Sequence, residues 1–309
     1  MLAIYKTTQQ GLERIEHPKN GCWINVIDPS HQEINDLKEW GIETDLINYS
    51  LDLDEMSHME RDEEYIFILL RIPYFQGPGT DIPHITVPLG IILTDRYVIT
   101  ICRYENDITR VLVNDKYQGM KTAKRFRFAL YIFLEAATHY LGHLRDINKE
   151  TEVLEDQLQK STRNREVLEL LKMQKSLVYF TTGLHSNQVV MERLQRTQMF
   201  KQYEEDQELL EDVITENQQA IEMTGIQTNI LNGLMDAFAS IISNNLNAVM
   251  KALAALTIII NIPTIVASFY GMNVRLPGGE HPLAFLMVLG IASGLILFAV
   301  LVFFKRDWF

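Results

Sequence analysis

Between residues 236 and 268 the chain sets small polar side chains in single file. Asp236, Ser240, Ser243, Asn247, Thr257, Asn261, Thr264 and Ser268 follow one another at intervals of three, four or ten residues. An α-helix of 3.6 residues per turn lays such a series along one face. Hydroxyl and amide oxygens in a row are weak, neutral acceptors, suited to successive loose contacts with a hydrated cation. The setting sharpens this reading. No charged residue occurs from Ala252 to Val274, a run long enough to cross a bilayer, inside which a polar row has to meet protein or water. The row suggests a pore wall; the alternative is helix-to-helix hydrogen bonding without conduction.

Other residues with chemical potential lie further up the chain. Glu135, His139 and His143 recur at intervals of four with Asp146 nearby; such a set could hold zinc, although no fourth ligand is fixed by spacing and an exposed polar face explains it as well. Asp52 to Glu64 carries seven acidic residues against Arg61, either a solvated stretch, with His58 solvated in it, or part of a cation-binding interface. From Gln202 to Met250 there is no Lys or Arg, while Glu204, Glu205, Asp206, Glu208, Glu211, Asp212, Glu216, Glu222 and Asp236 are present. Such a helix repels copies of itself unless divalent ions neutralise it, the alternative being a solvated acidic helix near the membrane. No Gly-rich phosphate loop, Gly-x-Ser-x-Gly elbow, Cys-x-x-Cys or histidine box occurs, so no enzyme activity is expected.

The elements that must position these groups follow from composition. The chain of 309 residues has a net charge of −12, which lacks the basic footprint a nucleic-acid partner needs. Two apolar spans, Ala252 to Tyr270 and Leu283 to Phe304, close the chain, and the start lacks the apolar core of a signal peptide. The first 250 residues are therefore expected in the cytosol. Lys251, Lys305 and Arg306 flank the spans on one side, as both termini inside would require, and Trp308 and Phe309 complete an interfacial anchor. Cys22 and Cys102 read as reduced core thiols. Cys22 to Ile27, Tyr65 to Pro73, Ile85 to Leu93 and Tyr97 to Cys102 read as strands. Ser30 to Glu33 reads as a capping box, opening a helix that Gly41 closes, and a short helix follows in Glu43 to Leu51. From about Tyr117 to Arg196 the apolar period becomes that of long helices, antiparallel arms or a coiled coil with a break in Arg163 to Glu166. Gly290, Ser293 and Gly294 offer the second span a small-residue face for packing on the first.

Tyr270-Gly271-Met272-Asn273 ends the first span, precedes a short loop and is followed by a second span. In this triplet and this arrangement the sequence resembles the CorA family of divalent-cation channels. The resemblance covers the whole architecture and is residue-specific from about Asp212 to Asn273. It implies an α+β fold with membrane helices, divided as follows: an N-terminal cytosolic α/β domain (1–120), long antiparallel helical arms (121–200), an acidic stalk (201–251), a pore-lining span (252–273), an external loop (274–282), a second transmembrane helix (283–304) and a cytosolic tail (305–309).

The resemblance further implies a homo-oligomer, a pentamer, in the inner or plasma membrane, conducting Mg²⁺. Gly271, Met272 and Asn273 would form the selectivity filter, with the Asn273 amide receiving hydrated Mg²⁺. Asp236, Asn247 and Thr264 are placed on the pore wall by the resemblance, and Ser243, Met250, Thr257, Asn261 and Ser268 join them along the row. Met250, Leu253 and Ala254 are the candidates for an apolar constriction, because Asn261 stands where relatives often have a narrow apolar ring and Ser268 where they often have Gly. Asp212 matches a carboxylate that binds regulatory Mg²⁺ between subunits, with Asp52 to Glu64 the first place to seek its partner. Glu280 in the external loop would draw cations to the mouth. Two alternatives stay open: a Co²⁺, Ni²⁺ or Zn²⁺ importer of the same build, and a membrane-tethered scaffold that senses divalent ions without conducting.

Overall fold

Seven strands, the central ones rich in Ile, Val, Leu and aromatic residues, pair into one mixed sheet in the structure, a computed structural model. It describes every residue except 10, 115, 118, 161–163, 198–202, 273–281, 307 and 309, with backbone alone at 159, 160 and 164. Two units are distinguished, Met1–Leu234 and Met235–Phe309. The strands are β1 (Leu2–Thr8), β2 (Gly11–Ile15), β3 (Cys22–Ile27), β4 (His58–Arg61), β5 (Tyr65–Phe75), β6 (His84–Thr94) and β7 (Tyr97–Cys102). Their order is β2-β1-β3-β7-β6-β5-β4. β3 and β7 pair parallel, with Trp23 opposite Val98 and Asn25 opposite Thr100; the other pairs are antiparallel.

Helices cover both faces, which is why the central strands read as continuous apolar runs without alternation. On one face α1 (His31–Glu39) and α2 (Thr44–Leu51) bring Leu37, Leu46 and Ile47 against Ile24, Phe67 and Ile99. On the other, α3 (Asp107–Val113) and α4 (Arg125–Lys160) bring Ile108, Phe128 and Phe133, and α5 (Asn164–Arg196) brings Val190 and Met191, against Trp23, Ile68 and Val98. Local signals agree with these placements. The Ser30 hydroxyl accepts from the Glu33 amide and Glu33 accepts from the Ser30 amide, a full capping box, and Gly41 takes φ +88° just past the end of α1. Asp28, at φ 44°, turns the chain out of β3 ahead of Pro29.

The structure adds elements that the pattern did not predict. β1 and β2 form a hairpin at the sheet edge, half polar because one side meets water, and β4 and α3 are short. The long helix begins at Arg125 instead of near Tyr117. The residues before it are held as a loop by hydrogen bonds to β1: Thr7 and Thr122 each donate a backbone N–H to the other's hydroxyl, at 3.2 and 3.0 Å, and the Thr7 hydroxyl donates to the Met120 carbonyl.

α5 then buries Leu170, Met173, Leu177, Phe180, Leu184, Asn187, Met191 and Leu194. The stalk helix α6 (Glu204–Tyr270) buries Leu210, Val213, Asn217, Ala220, Thr224, Gln227 and Leu231. Both series alternate steps of three and four, the 3.5-residue period of a coiled-coil seam. Buried amides fix the register: Asn217 donates to Gln188 at 2.9 Å and Gln227 to the Leu144 carbonyl at 2.7 Å. In the second unit, the C-terminal part of α6 and α7 (Ala284–Lys305) are both long and apolar enough to cross a membrane.

One packing constraint in the sheet can be tested directly. A methyl group on Gly90 of β6 would lie 1.8 Å from the Ser50 Oγ and 2.7 Å from its Cβ, and Ser50 is fixed by donating to the Leu46 carbonyl. Gly90→Ala should cost about 1–3 kcal/mol, as overpacked cores do. Adding Ser50→Gly should recover most of that loss in thermal unfolding of the detergent-solubilised protein.

Candidate functional site

Within the second unit, the span of α6 has a covered side and an open side. Ala255 is fully covered, and Ala252, Ile259, Ile262 and Val266 are partly so, again in steps of three and four. α7 covers Ala284, Val288, Ala292, Ile296 and Phe303. These two rows mark the seam of the helical pair. Gly290, Ser293 and Gly294 are exposed instead, a correction to the small-residue packing face expected from sequence; the seam of α7 follows Ala292 and its neighbours one turn apart.

The polar file lies on the open side. Asp236, Ser240, Ser243, Asn247, Met250, Thr257, Asn261, Thr264 and Ser268 are all exposed within the chain. At about 100° per residue, the file of the span stands roughly opposite the covered row. Its hydroxyls are oriented by their own helix. Thr257 donates to the Leu253 carbonyl at 2.8 Å, Thr264 to Ile260 at 3.4 Å and Ser268 to Thr264 at 2.7 Å. With the proton committed to the backbone, each hydroxyl oxygen is left with lone pairs, an acceptor for whatever donor stands beside it. Pro263 sits inside the helix without breaking it, and its missing N–H leaves the Ile259 carbonyl without that bond.

At the end of the helix the Gly271 amide donates to Ala267 at 2.9 Å and Met272 donates to Phe269 at 3.3 Å, a last turn that tightens. Met272 is exposed. Asn273, with Arg275, Glu280 and His281, lies outside the described residues. At the other end, Trp308 stacks on Phe303 with 5.1 Å between ring centres, and a cavity of about 660 Å³ is lined by Trp308, Asn247 and Lys251. Lys251 is thus set beside the aromatic tail residue.

In the first unit Asp212 is exposed on α6 beside buried Val213, and among the described residues it has no ion pair. The start of the stalk is not uniformly repelling, a point the count of acids missed. Arg127 of α4 reaches Glu205 at 2.5 Å and also binds nearly buried Asp206. Nor is Asp52 to Glu64 simply a solvated stretch. The buried guanidinium of Arg71 donates to the carbonyls of Leu53 at 2.6 Å and Glu55 at 2.9 Å, and to Thr86. Ser57 is bonded to Ser186 and Asn187 of α5. The backbone is pinned, and Asp52, Asp54 and Glu60 are left exposed. His58 lies between Glu55 and Glu60, each at 3.6 Å, instead of being merely solvated.

Glu135, His139 and His143 are not assembled as zinc ligands, nor do they form an exposed face. Among the described residues no group of three or more side chains is placed to hold a metal ion. Glu135 is fully buried and engaged by Lys116 at 2.6 Å and by the Tyr117 hydroxyl. Burial pushes the Tyr117 hydroxyl above the usual phenol range and the carboxylate bond adds to that shift. His143 turns instead to His84 of β6, 3.2 Å away.

Residues 18–306 match the family described as "CorA-like Mg2+ transporter protein". The chain belongs to the CorA family. It is 30% identical over 295 residues to the "Cobalt/magnesium transport protein CorA" of Methanocaldococcus jannaschii, covering 93% of this chain and 90% of that one. It is 24% identical to the protein of the same name from Thermotoga maritima, covering 93% and 83%. The complete structure of the CorA magnesium transporter from M. jannaschii superposes with a TM-score of 0.86 at 24% identity, over 100% of this chain and 99% of the other. This likeness shows the fold: a mixed-sheet N-terminal domain, long helices and two apolar C-terminal helices. The two spans and the family together make this a membrane protein of a transporter family.

The Arg127 contact carries its own prediction. Arg127→Ala leaves the Asp206 carboxylate nearly buried without its cation, and should cost about 1.5–3 kcal/mol, the range of hydrogen bonds to charged groups. Arg127→Lys should retain part of this, as read by denaturant unfolding of the full chain.

Proposed function

We propose that this chain assembles into a homo-oligomer whose α6 spans line a wetted path for hydrated Mg²⁺, passive and inward. The observation that carries this reading is the open polar file, opposite the side α6 covers within its own chain. Inside hydrocarbon such a file has to face protein or water, and two spans alone cannot enclose a pore, so copies must gather around an axis. The number five comes from the family resemblance. The names of the M. jannaschii and T. maritima relatives, cobalt/magnesium transport proteins, support a divalent cargo.

Mg²⁺ is small and gives up its water reluctantly, so a fast path holds the hydrated ion. The lone pairs of Thr257, Thr264 and Ser268 accept hydrogen bonds from its water, with Asn261, Asn247, Ser243 and Asp236 continuing the series. Gly271, Met272 and Asn273 form the filter, and Asn273 receives the ion. Met250 with Leu253 makes the apolar constriction. The membrane potential drives entry, worth about 4.6 kcal/mol per 100 mV for a divalent ion. Lys251, Lys305 and Arg306 fix both termini on the cytoplasmic side of the inner or plasma membrane. No enzyme step is involved. Mg²⁺ is also the regulator: at Asp212 it neutralises carboxylates brought together between subunits, and its loss loosens them and opens the path. A second reading, import of Co²⁺, is favoured by the word cobalt in the relatives' names.

Purified protein in liposomes loaded with a Mg²⁺ dye should pass Mg²⁺ when an inside-negative potential is imposed. An oligomer that leaves the dye silent would be a sensing scaffold instead, and Co²⁺ outcompeting Mg²⁺ would favour the second reading. In the same vesicles Asp212→Ala should require several-fold higher internal Mg²⁺ for closure, and unchanged inhibition counts against the sensor role.

A further inference from the structure

Two imidazoles meet where the helical arms lie on the sheet. His84 of β6 is buried, 2% exposed, and its Nδ1 is 3.2 Å from the Nδ1 of His143 on α4. The rings stand at 74° with centroids 5.2 Å apart. Phe180 of α5 lies against both, at 6.1 Å from each, and Phe75 of β5 lies 4.8 Å from His84. The His84 backbone N–H donates to the Ser176 hydroxyl of α5 at 3.3 Å. Three elements, β6, α4 and α5, are thus joined around this pair. The Nε2 of His84 is buried with no hydrogen-bond partner among the described residues.

Proton counting restricts what this arrangement tolerates. A bond between the two Nδ1 atoms needs one hydrogen, supplied by one ring and accepted by the other. With two protons on the pair, His84 carries its hydrogen on Nδ1 and His143 carries its own on Nε2, so the buried His84 Nε2 is a bare acceptor. A third proton has nowhere acceptable to go. It either puts an N–H on the partnerless His84 Nε2, or it places hydrogens on both Nδ1 atoms and turns the contact into a repulsion.

We propose that the His84–His143 contact is a proton-sensitive latch, holding α4 and α5 on β6 while the pair carries two protons and releasing them when it takes up a third. The charged and titratable groups facing the pair are Asp146 and His139 of α4 and Asp107 of α3; α5 and β5 present Ser176, Phe180 and Phe75. Asp146 and Asp107 are exposed, so their attraction for a charged imidazole is screened. Burial is the larger influence: with His143 beside it, it lowers the pKa of His84 from 6.5 to about 4, and burial and His139 lower that of His143. The direction follows by linkage. In the opened state both rings bind protons below about pH 6.5; in the closed state His84 does so only near pH 4 and His143 below its ordinary range, so closure weakens as pH falls below about 6.5 and is unaffected above it. The joint is wired to the acidic stretch. Thr86, two residues along the same face of β6, accepts from Arg71, which also holds the Leu53 and Glu55 carbonyls.

Hydrogen exchange of the full-length protein in detergent tests this. Corrected for intrinsic rates, segments 82–88, 139–147 and 172–184 should exchange on the order of tenfold faster at pH 5 than at pH 7.5. The doubly substituted His84→Gln/His143→Gln protein, whose amides donate and accept without titrating, should lose that acid response. If it keeps the full response, the latch is refuted. Should that protein fail to fold, His84→Phe/His143→Leu replaces it with the same expectation. The wild-type ring titrations, followed by NMR, provide an independent arm: midpoints below 6.5 for both imidazoles support the latch, and a midpoint at or above 6.5 for either overturns it.

Discussion

Hydrocarbon offers no hydrogen-bond partner, and this constraint governs what the C-terminal unit can be. Apolar residues on either side of α6 are satisfied by lipid or by α7. The hydroxyls of Thr257, Thr264 and Ser268 are half satisfied by their own helix, each donating to a carbonyl one turn back. Their lone pairs and the Asn261 amide remain. A helix that needed only to anchor the protein would gain nothing from this file, because each of these groups is costly in lipid and none is used by the seam with α7. The file therefore demands an environment that the single chain does not provide.

The N-terminal unit is organised by a different requirement, that buried polar groups be paired. Among the described residues Arg71 has no carboxylate in an ion pair with it; carbonyls of Leu53, Glu55 and Thr86 answer it instead. Burial lowers its pKa, although the guanidinium stays charged. The Tyr140 hydroxyl and the Asn187 amide close the other side by donating to the Arg71 carbonyl. Sheet, arms and acidic stretch are consequently tied through one residue. Trp23 does the equivalent deeper in the sheet, donating to Thr100, which donates to Asn25. Such joints favour one docking of helices on strands over others of similar apolar area, since a shifted register would strand every one of these donors.

Much of this was legible in the sequence, for reasons that differ between elements. The central strands, the capping box at Ser30 and the length of the helices followed from local pattern, because propensity and capping act over a few residues. β1 and β2 did not, since Lys6, Glu13 and Arg14 alternate with apolar residues only weakly and the hairpin draws support from Thr122, more than a hundred residues away. The spacing of Glu135, His139 and His143 was real, yet a helical face says nothing of what approaches it. Lys116, Tyr117 and His84 come from a loop and a strand, and they draw Glu135 and His143 apart, while His139 turns back to Glu135 on its own helix. For the same reason the glycines of α7 misled: small residues permit close packing, but Ala292 and its neighbours take the seam. The polar file was legible because its period is internal to one helix, while its openness was not, depending on where α7 lies.

The acidic stalk shows how charge and packing divide the work along one helix. Its buried seam from Leu210 to Leu231 would pack whatever stood outside it, so the acids are free to vary without loss of the coiled coil. Glu211 and Glu222 accept from Gln207 and Gln218 one turn back, and the first turn pairs its acids with a cation, where Glu205 and Asp206 meet Arg127. That pairing offsets the repulsion where three consecutive acids crowd the helix start, at the end whose backbone dipole already favours negative charge. Beyond it, Glu208, Glu211, Asp212 and Glu222 are exposed and lack a basic neighbour on their own helix as far as Met250. An isolated chain bears this at little cost, because water screens each carboxylate. Copies gathered side by side would not, so in the proposed assembly the same residues that are neutral to the fold of one subunit would set the ionic conditions under which several could stand together.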